Sequence, residues 1–270
     1  MTDAAVGRSR ILILGALLAL SGVAWGVLVW QGGSVGDAGG AMSAMGAMDA
    51  GEGDASRVLT MGMALPLFMG MWVLMMIAMM FPTAAPMVLT FASISRNRRA
   101  KGEAFVPTWV FVGSYLAVWS AFGVAAFLVA VAADRAGEDV AFLRDHGARI
   151  GGAVLALAGL YQLSPWKGAC LTKCRSPLSF VLTSWREGYT GAVRMGLSHG
   201  TYCLGCCWLL FVILFPLGVM NVAAMGLVTL LIFTEKSVRH GELIGKAVGA
   251  GLVLFGLVVL AWPSLLPTTL

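Results

Sequence analysis

Charge is scarce in this chain. Asp, Glu, Lys and Arg make up 11% of its 270 residues while 59% are hydrophobic, against a charged share of about 25% in soluble domains. A soluble globular fold is therefore excluded. The formal net charge is +5, yet no Lys/Arg stripe with interleaved aromatics exists, so a nucleic-acid partner is excluded too. No Gly-rich Walker loop is present, which removes ATP-driven work. Three histidines are too few for the His-rich di-iron pattern of membrane desaturases, and a bis-histidine haem would leave the cysteines without a role. No internal repeat and no soluble domain is evident.

What the chain has instead is a series of apolar runs close to the ~20 residues that cross a bilayer. The expected fold is all-α, a polytopic transmembrane bundle of about seven helices: Ile11 to Trp30, Met63 to Leu89, Thr108 to Ala133, Ile150 to Leu163, Gly196 to Met220, Val222 to Phe233 and Leu243 to Trp262. The fourth and sixth runs are short. Arg8, Arg10, Arg96, Arg98, Arg99, Lys101, Lys167, Lys173, Arg175, Arg186, Lys236, Arg239 and Lys246 fall on one side of this arrangement. Cytoplasmic loops carry the Lys/Arg excess, which puts the N-terminus inside and the C-terminus in the periplasmic or extracellular space, as in the cytoplasmic (inner) membrane of a bacterium. The basic balance thus reports orientation.

Three parts follow. Residues 1–30 form an anchor, or a signal-like helix, although the apolar stretch is longer than the usual ~7 to 15 residues and no clear cleavage site follows. Residues 31–62 form a Gly/Ala/Met/Asp-rich outer loop, expected to be flexible, with Met42, Met45 and Met48 at three-residue spacing. Residues 63–270 form the bundle. Its connection 164–188 is too polar to span, has turn signals at Pro165 and Pro177, and carries Trp166, Phe180 and Trp185; it should lie on the membrane surface or fold back under the helices.

Three of the five cysteines fall within five residues of one apolar run, in His199-Gly-Thr-Tyr-Cys203-Leu-Gly-Cys206-Cys207. On a helix His199, Cys203 and Cys206 stack along one stripe, with Cys207 beside Cys203. Buried cysteine also serves as a small hydrophobe, but this density beside a histidine points to metal or redox chemistry. Thiolates with imidazole select Cu(I), zinc or iron–sulfur clusters, and the carboxylates that suit Mg, Ca or Mn are missing from the stripe. If Arg194 marks the inner boundary, His199 lies roughly 7 Å and Cys206 roughly 18 Å into the membrane.

Further candidates surround it. Met76, Met80 and Met87 share a face of the second helix at similar depth, beside carbonyls freed by Pro82 and Pro86; methionine also fills gaps between helices. Thioethers favour Cu(I) over zinc. Cys170 and Cys174 occupy one face of the connection, where Lys167, Lys173 and Arg175 should lower the thiol pKa. Glu235 and Lys236, with His240 just beyond, suit either helix-end anchoring with a Glu235–Arg239 pair or a proton or ion relay.

Met79-Met-Phe-Pro-Thr-Ala-Ala-Pro-Met87, Tyr161-Gln-Leu-Ser-Pro-Trp-Lys167 with Cys170 to Pro177, Met195 to Cys207, Gly218-Val-Met-Asn221 and Glu235-Lys236 together resemble a bacterial family of predicted metal-binding integral membrane proteins. The resemblance runs from about Met69 to Lys236. It implies the fold type and a metal, without a reaction, and leaves the Met42 to Met48 segment outside.

The residues favour binding of Cu(I), with zinc as the second choice, for transport, insertion or delivery, with a metallochaperone or a larger membrane complex as partner. The alternative is a membrane redox enzyme, either a thiol–quinone oxidoreductase using Cys203-Leu-Gly-Cys206 or a copper-dependent oxygenase. A third reading leaves the thiols to packing within a complex.

Overall fold

The computed structural model describes residues 3–45, 63–103, 106–139, 146–218 and 221–265. Every regular element among them is helical: α1 (Asp3–Met45), α2 (Leu65–Ala100), α3 (Thr108–Asp139), α4 (Gly147–Leu163), α5 (Pro165–Arg175), α6 (Pro177–Ser184), α7 (Gly188–Val212), α8 (Leu214–Leu217), α9 (Val222–Ser237) and α10 (Gly241–Ala261), with a short 3-10 turn at Pro263–Leu265.

Five helices are long and apolar enough to cross a membrane: Arg8–Gln31, Leu65–Ala100, Thr108–Ala136, Gly188–Leu217 and Gly241–Ala261. The other two expected crossings correspond to α4 and α9, of 17 and 16 residues. At 1.5 Å per residue these reach about 25 Å, short of a ~30 Å hydrocarbon core. Continuation of α1 to Met45 takes in the first part of the segment 31–62; the rest of that segment, with Met48, lies outside the described residues, as do the side chains of Met42 and Met45.

Proline shapes the local structure. Pro82 has no N–H for the Ala78 carbonyl four residues earlier. That oxygen accepts instead from α1, from Ser21 Oγ at 2.8 Å and Trp25 Nε1 at 3.0 Å, which fastens α1 to α2. In the connection, Pro165 and Pro177 each open a short helix at its first turn, where the missing N–H costs nothing. Ser164 caps the first of these, its Oγ accepting from the Lys167 amide at 3.3 Å. The connection is thus two helices, and α5 packs directly on α7.

Small residues set two close helix contacts. On α4, Gly152 and Gly159 face Gly256 and Gly249 of α10, so the two helices run antiparallel with their backbones touching. On α7, Gly196 lies against the Phe111 carbonyl and Gly200 against Tyr115 and Val118 of α3, a parallel pair. A side chain at Gly196 would drive α3 away. The second contact is what brings Tyr115 beside the thiols of α7.

Candidate metal centre

The predicted stripe exists and is buried: His199, Cys203, Cys206 and Cys207 are all 3% exposed or less. Among the described residues, however, no three His, Cys, Asp or Glu side chains form a ready-made ligand cage. The Sγ of Cys206 and of Cys207 both donate back along the helix to the Cys203 carbonyl, at 3.1 and 2.8 Å. Rotation about one side-chain bond would free each of them.

Four elements converge on Cys203. From α5, the Cys174 thiol lies close enough to the sulfurs of Cys203 and Cys206 to interact with both. From α3, Tyr115 Oη lies 3.2 Å from Cys203 Sγ. From α9, Lys236 Nζ donates to the same sulfur at 3.1 Å. Cys206 and Cys207 are in reach from the helix itself. Cys170 sits one turn deeper on α5, against the notch at Gly205, where an added Cβ would come 2.8 Å from its sulfur.

His199 is held by rings. Phe111 and Tyr115 stack on it with centroids at 5.9 and 5.5 Å, and Phe180 of α6 closes on it at 5.6 Å. These contacts fix the imidazole plane and offer no hydrogen bond. Its Nδ1 is buried without a partner, a state that costs about 1–3 kcal/mol unless a ligand satisfies it. The ring borders a cavity of about 250 Å³ that Thr83, Met87, Cys174 and Lys236 also line. A thioether, a thiol and an imidazole from three separate elements therefore face one space.

These are soft donors, suited to Cu(I), and a comparison with known families bears on that choice directly. The model described as PpoB2, copper chaperone, matches residues 69–259, more than half of the chain. The chain belongs to this copper-chaperone family. No curated protein and no solved structure matches. The region shared with the family runs from α2 to α10 and contains every candidate ligand, while α1 and the Met42 to Met48 segment fall outside it.

Within that shared region the structure divides the methionines of α2. Met76 and Met80 are buried in the same apolar cluster as Cys203, Cys206 and Cys207, and the Thr83 hydroxyl approaches Met80 Sδ at 3.8 Å. Met87 belongs to a second cluster nearer the basic end of the bundle, with Phe111, Phe180 and Met195. Helices α2 and α7 meet through side chains, as at Trp72 and Phe211, whose ring centroids are 6.4 Å apart, while α3 packs on both.

The charged residues beside the site behave differently from the sequence expectation. Glu235 does not pair with Arg239. Both its oxygens accept from Lys167 Nζ at 2.7 Å, and Gln162 donates to one of them; all three residues are buried. Lys167 is thereby turned away from the thiols. The Cys170 thiol is pushed up from its ordinary pKa by burial and then by the neighbouring Cys206, and Cys174 is pushed up by the adjacent sulfurs of Cys203 and Cys206 and by burial. A lowered thiol pKa in this pair is overturned by burial and by the other sulfurs. His240 is exposed on the turn before α10 and stands apart from Glu235 and Lys236.

The sequence offers no sign of Tyr115 or of the aromatic clamp on His199 as parts of the site, and Tyr161 and Gln162 stand in it only within a family motif, without a role. Tyr161 donates to the Gly205 carbonyl, bracing α4 against the helix that carries the thiols. All four act across long sequence separations, which spacing along one helix cannot reveal. Lys167 carried one usable signal, a lone charge in the otherwise uncharged segment Ile150–Trp166 to Cys170.

Proposed function

We propose that this copper-chaperone family member is a membrane-embedded Cu(I)-binding protein that receives the ion and hands it on. In this reading Cys174, Cys203, Cys206 and Cys207 supply thiolates, His199 supplies imidazole through Nδ1, and Met87 with Met80 and Met76 supplies thioethers along the route. Cys170 is a reserve thiol one turn deeper. The observation that supports the proposal is the approach of Cys174 of α5 to Cys203 and Cys206 of α7, which brings thiols from two elements into interaction range of one another.

Binding requires small motions. Cys206 and Cys207 exchange a hydrogen bond to the Cys203 carbonyl for a bond to metal, and the thiol protons leave. Metal bound by thiolates spreads its charge over the ligands, which lowers the cost of burial. Lys236, already beside Cys203, would balance the excess negative charge of a Cu(I)–dithiolate unit.

The basic end of the bundle faces the cytoplasm in this proposal, by the distribution of Lys and Arg, so the cavity at Met87, Cys174 and His199 opens towards the inner side of a bacterial cytoplasmic membrane. Residues 1–30 serve as an anchor on the bundle 63–270. The partner is a copper-accepting protein or complex.

The test is elemental analysis of the protein purified in mild detergent, wild type against Cys203→Ser and Cys206→Ser. Near-stoichiometric copper that is lost in both variants is the expected result. Metal at background level, together with ready disulfide formation among these cysteines, would favour the thiol redox enzyme instead.

A further inference from the structure

The cavity that leads to the thiols has the wrong charge for a free metal cation. Among the described residues, its only charged lining groups are the Arg175 guanidinium and the Lys236 ammonium, and no carboxylate lines it. The nearest buried carboxylate, Glu235, belongs to a separate cavity beside Gln162 and Lys167 and is held there by both. Glu242 approaches Arg175 at 3.7 Å, but from the exposed rim. Arg175 is fixed in place, its Nη2 donating to the carbonyls of Val238 and Arg239 at 2.8 and 3.0 Å. Lys236 is fixed by Cys203. Two positive charges held by hydrogen bonds to the protein therefore line the same cavity as the soft donors Met87, Cys174 and His199.

We propose that copper enters this cavity as an anionic Cu(I)–thiolate complex, a Cu(I) ion held by two low-molecular-weight thiolates, and not as a free or neutral-ligand cation. This rests on the Cu(I)-binding reading above and names the form in which the ion is recognised. Arg175 and Lys236 attract the complex, and the thiols behind them take the metal by ligand exchange. Two Cu–S bonds to the incoming thiolates break, and two Cu–S bonds to Cys174 and Cys203 form. The two protein thiol protons pass to the departing sulfurs, which leave as two neutral thiols. Copper remains Cu(I) throughout, and the unit keeps a single negative charge on both sides of the exchange, with Lys236 as its counter-ion. Of the protein groups these steps use, Arg175, Cys174 and Lys236 line the cavity, and Cys203 lies behind Lys236.

The experiment compares two copper donors of opposite charge under anaerobic conditions with the full chain in detergent: the Cu(I)–glutathione complex, which is anionic, and the Cu(I)–acetonitrile complex, which is cationic. Initial loading rates are measured for wild type, Arg175→Gln and Arg175→Lys, with Lys236, the counter-ion of the bound unit, left in place. Loading from glutathione should fall about tenfold in Arg175→Gln and should fall with added salt in wild type, as for electrostatically steered association. Loading from acetonitrile should be unchanged or faster, and it doubles as a check that the variants are folded. Arg175→Lys, which keeps the charge and loses the forked contact to the two carbonyls, should stay near wild type with both donors. An Arg175→Gln variant that slows both donors equally, or that leaves glutathione loading unchanged, would overturn the proposal. Wild-type protein that takes copper from neither donor would mean that the Cu(I)-binding reading itself has failed.

Discussion

Lys236 and Cys203, separated by 33 positions in the chain, are joined by an N–H···S hydrogen bond of 3.1 Å inside the bundle. The contact ties the last turn of α9 to the middle of α7, and it places a positive charge beside the sulfurs of the proposed site. Beside it, Glu235 points the other way and binds Lys167. Adjacent residues on α9 thus serve two purposes: one faces the thiols, and the other anchors the helix that carries Cys170 and Cys174.

The anchor predicts a stability effect. Lys167 and Glu235 are buried, so Glu235→Gln or Lys167→Met leaves one charge unpaired and should cost about 3–5 kcal/mol. The double variant should recover a large part of that loss. Thermal unfolding in detergent measures it, and additive losses in the double variant would contradict a direct pair.

His199→Phe should separate binding from stability. Phenylalanine continues the stack with Phe111, Tyr115 and Phe180 and removes the buried Nδ1 that has no partner, so stability should hold or rise. Cu(I) affinity should fall about tenfold or more, each factor of ten being ~1.4 kcal/mol. A competition titration with a Cu(I) chelator provides the affinity, and unchanged affinity would remove His199 from the ligand set.

Gly205 provides a test of how the Cys170 sulfur is seated. The Cβ of Gly205→Ala would come 2.8 Å from Cys170 Sγ and an ordinary 3.6 Å from its Cβ, so this variant should turn the Cys170 sulfur out of the notch and leave α5 in place, at a cost of about 1 kcal/mol. Faster alkylation of Cys170 should accompany the turn. A variant with wild-type labelling would show that the sulfur does not sit in this notch.

The Cys170 thiol gives a pH test. Its pKa is raised, first by burial and second by Cys206, and the thiolate is the form that reacts. In protein whose only alkylating site is followed at Cys170, the labelling rate should therefore climb at higher pH than for an ordinary cysteine. Removal of the neighbour in Cys206→Ser should move the climb back towards lower pH. A midpoint at or below that of a free thiol would contradict the buried, sulfur-neighboured setting.

Much of the candidate site was legible because it lies on one helix. The 3.6-residue period is enough to align His199, Cys203 and Cys206 and to put Met76, Met80 and Met87 on one face of α2. The same reasoning failed across elements. Nothing in the spacing of Cys170 and Cys174 indicated that the polar connection would form two proline-started helices and bring Cys174 onto Cys203. Its charged residues point to lowered thiol pKa values, but Lys167 is held by Glu235 from α9, a partner 68 positions away. Of the seven apolar runs, five form helices long and apolar enough to cross a membrane; α4 and α9 come from the two runs already short in the sequence and stop where Pro165 starts a new helix and where the turn at Val238–His240 interrupts the chain. Pro82 frees the Ala78 carbonyl, as proline in a helix should, although that oxygen's acceptor role for Ser21 and Trp25 of α1 needs the packed structure.

The central claim is that α5 and α7 hold one copper ion between them. Its most direct test is a double-mutant cycle on Cu(I) affinity with Cys174→Ser, Cys203→Ser and the double variant, measured by anaerobic chelator competition. Ligands of a shared ion should be strongly coupled, so that the double variant loses far less than the sum of the two single losses. A Cys174→Ser protein with wild-type affinity, or losses that simply add, would contradict a site shared between the two helices.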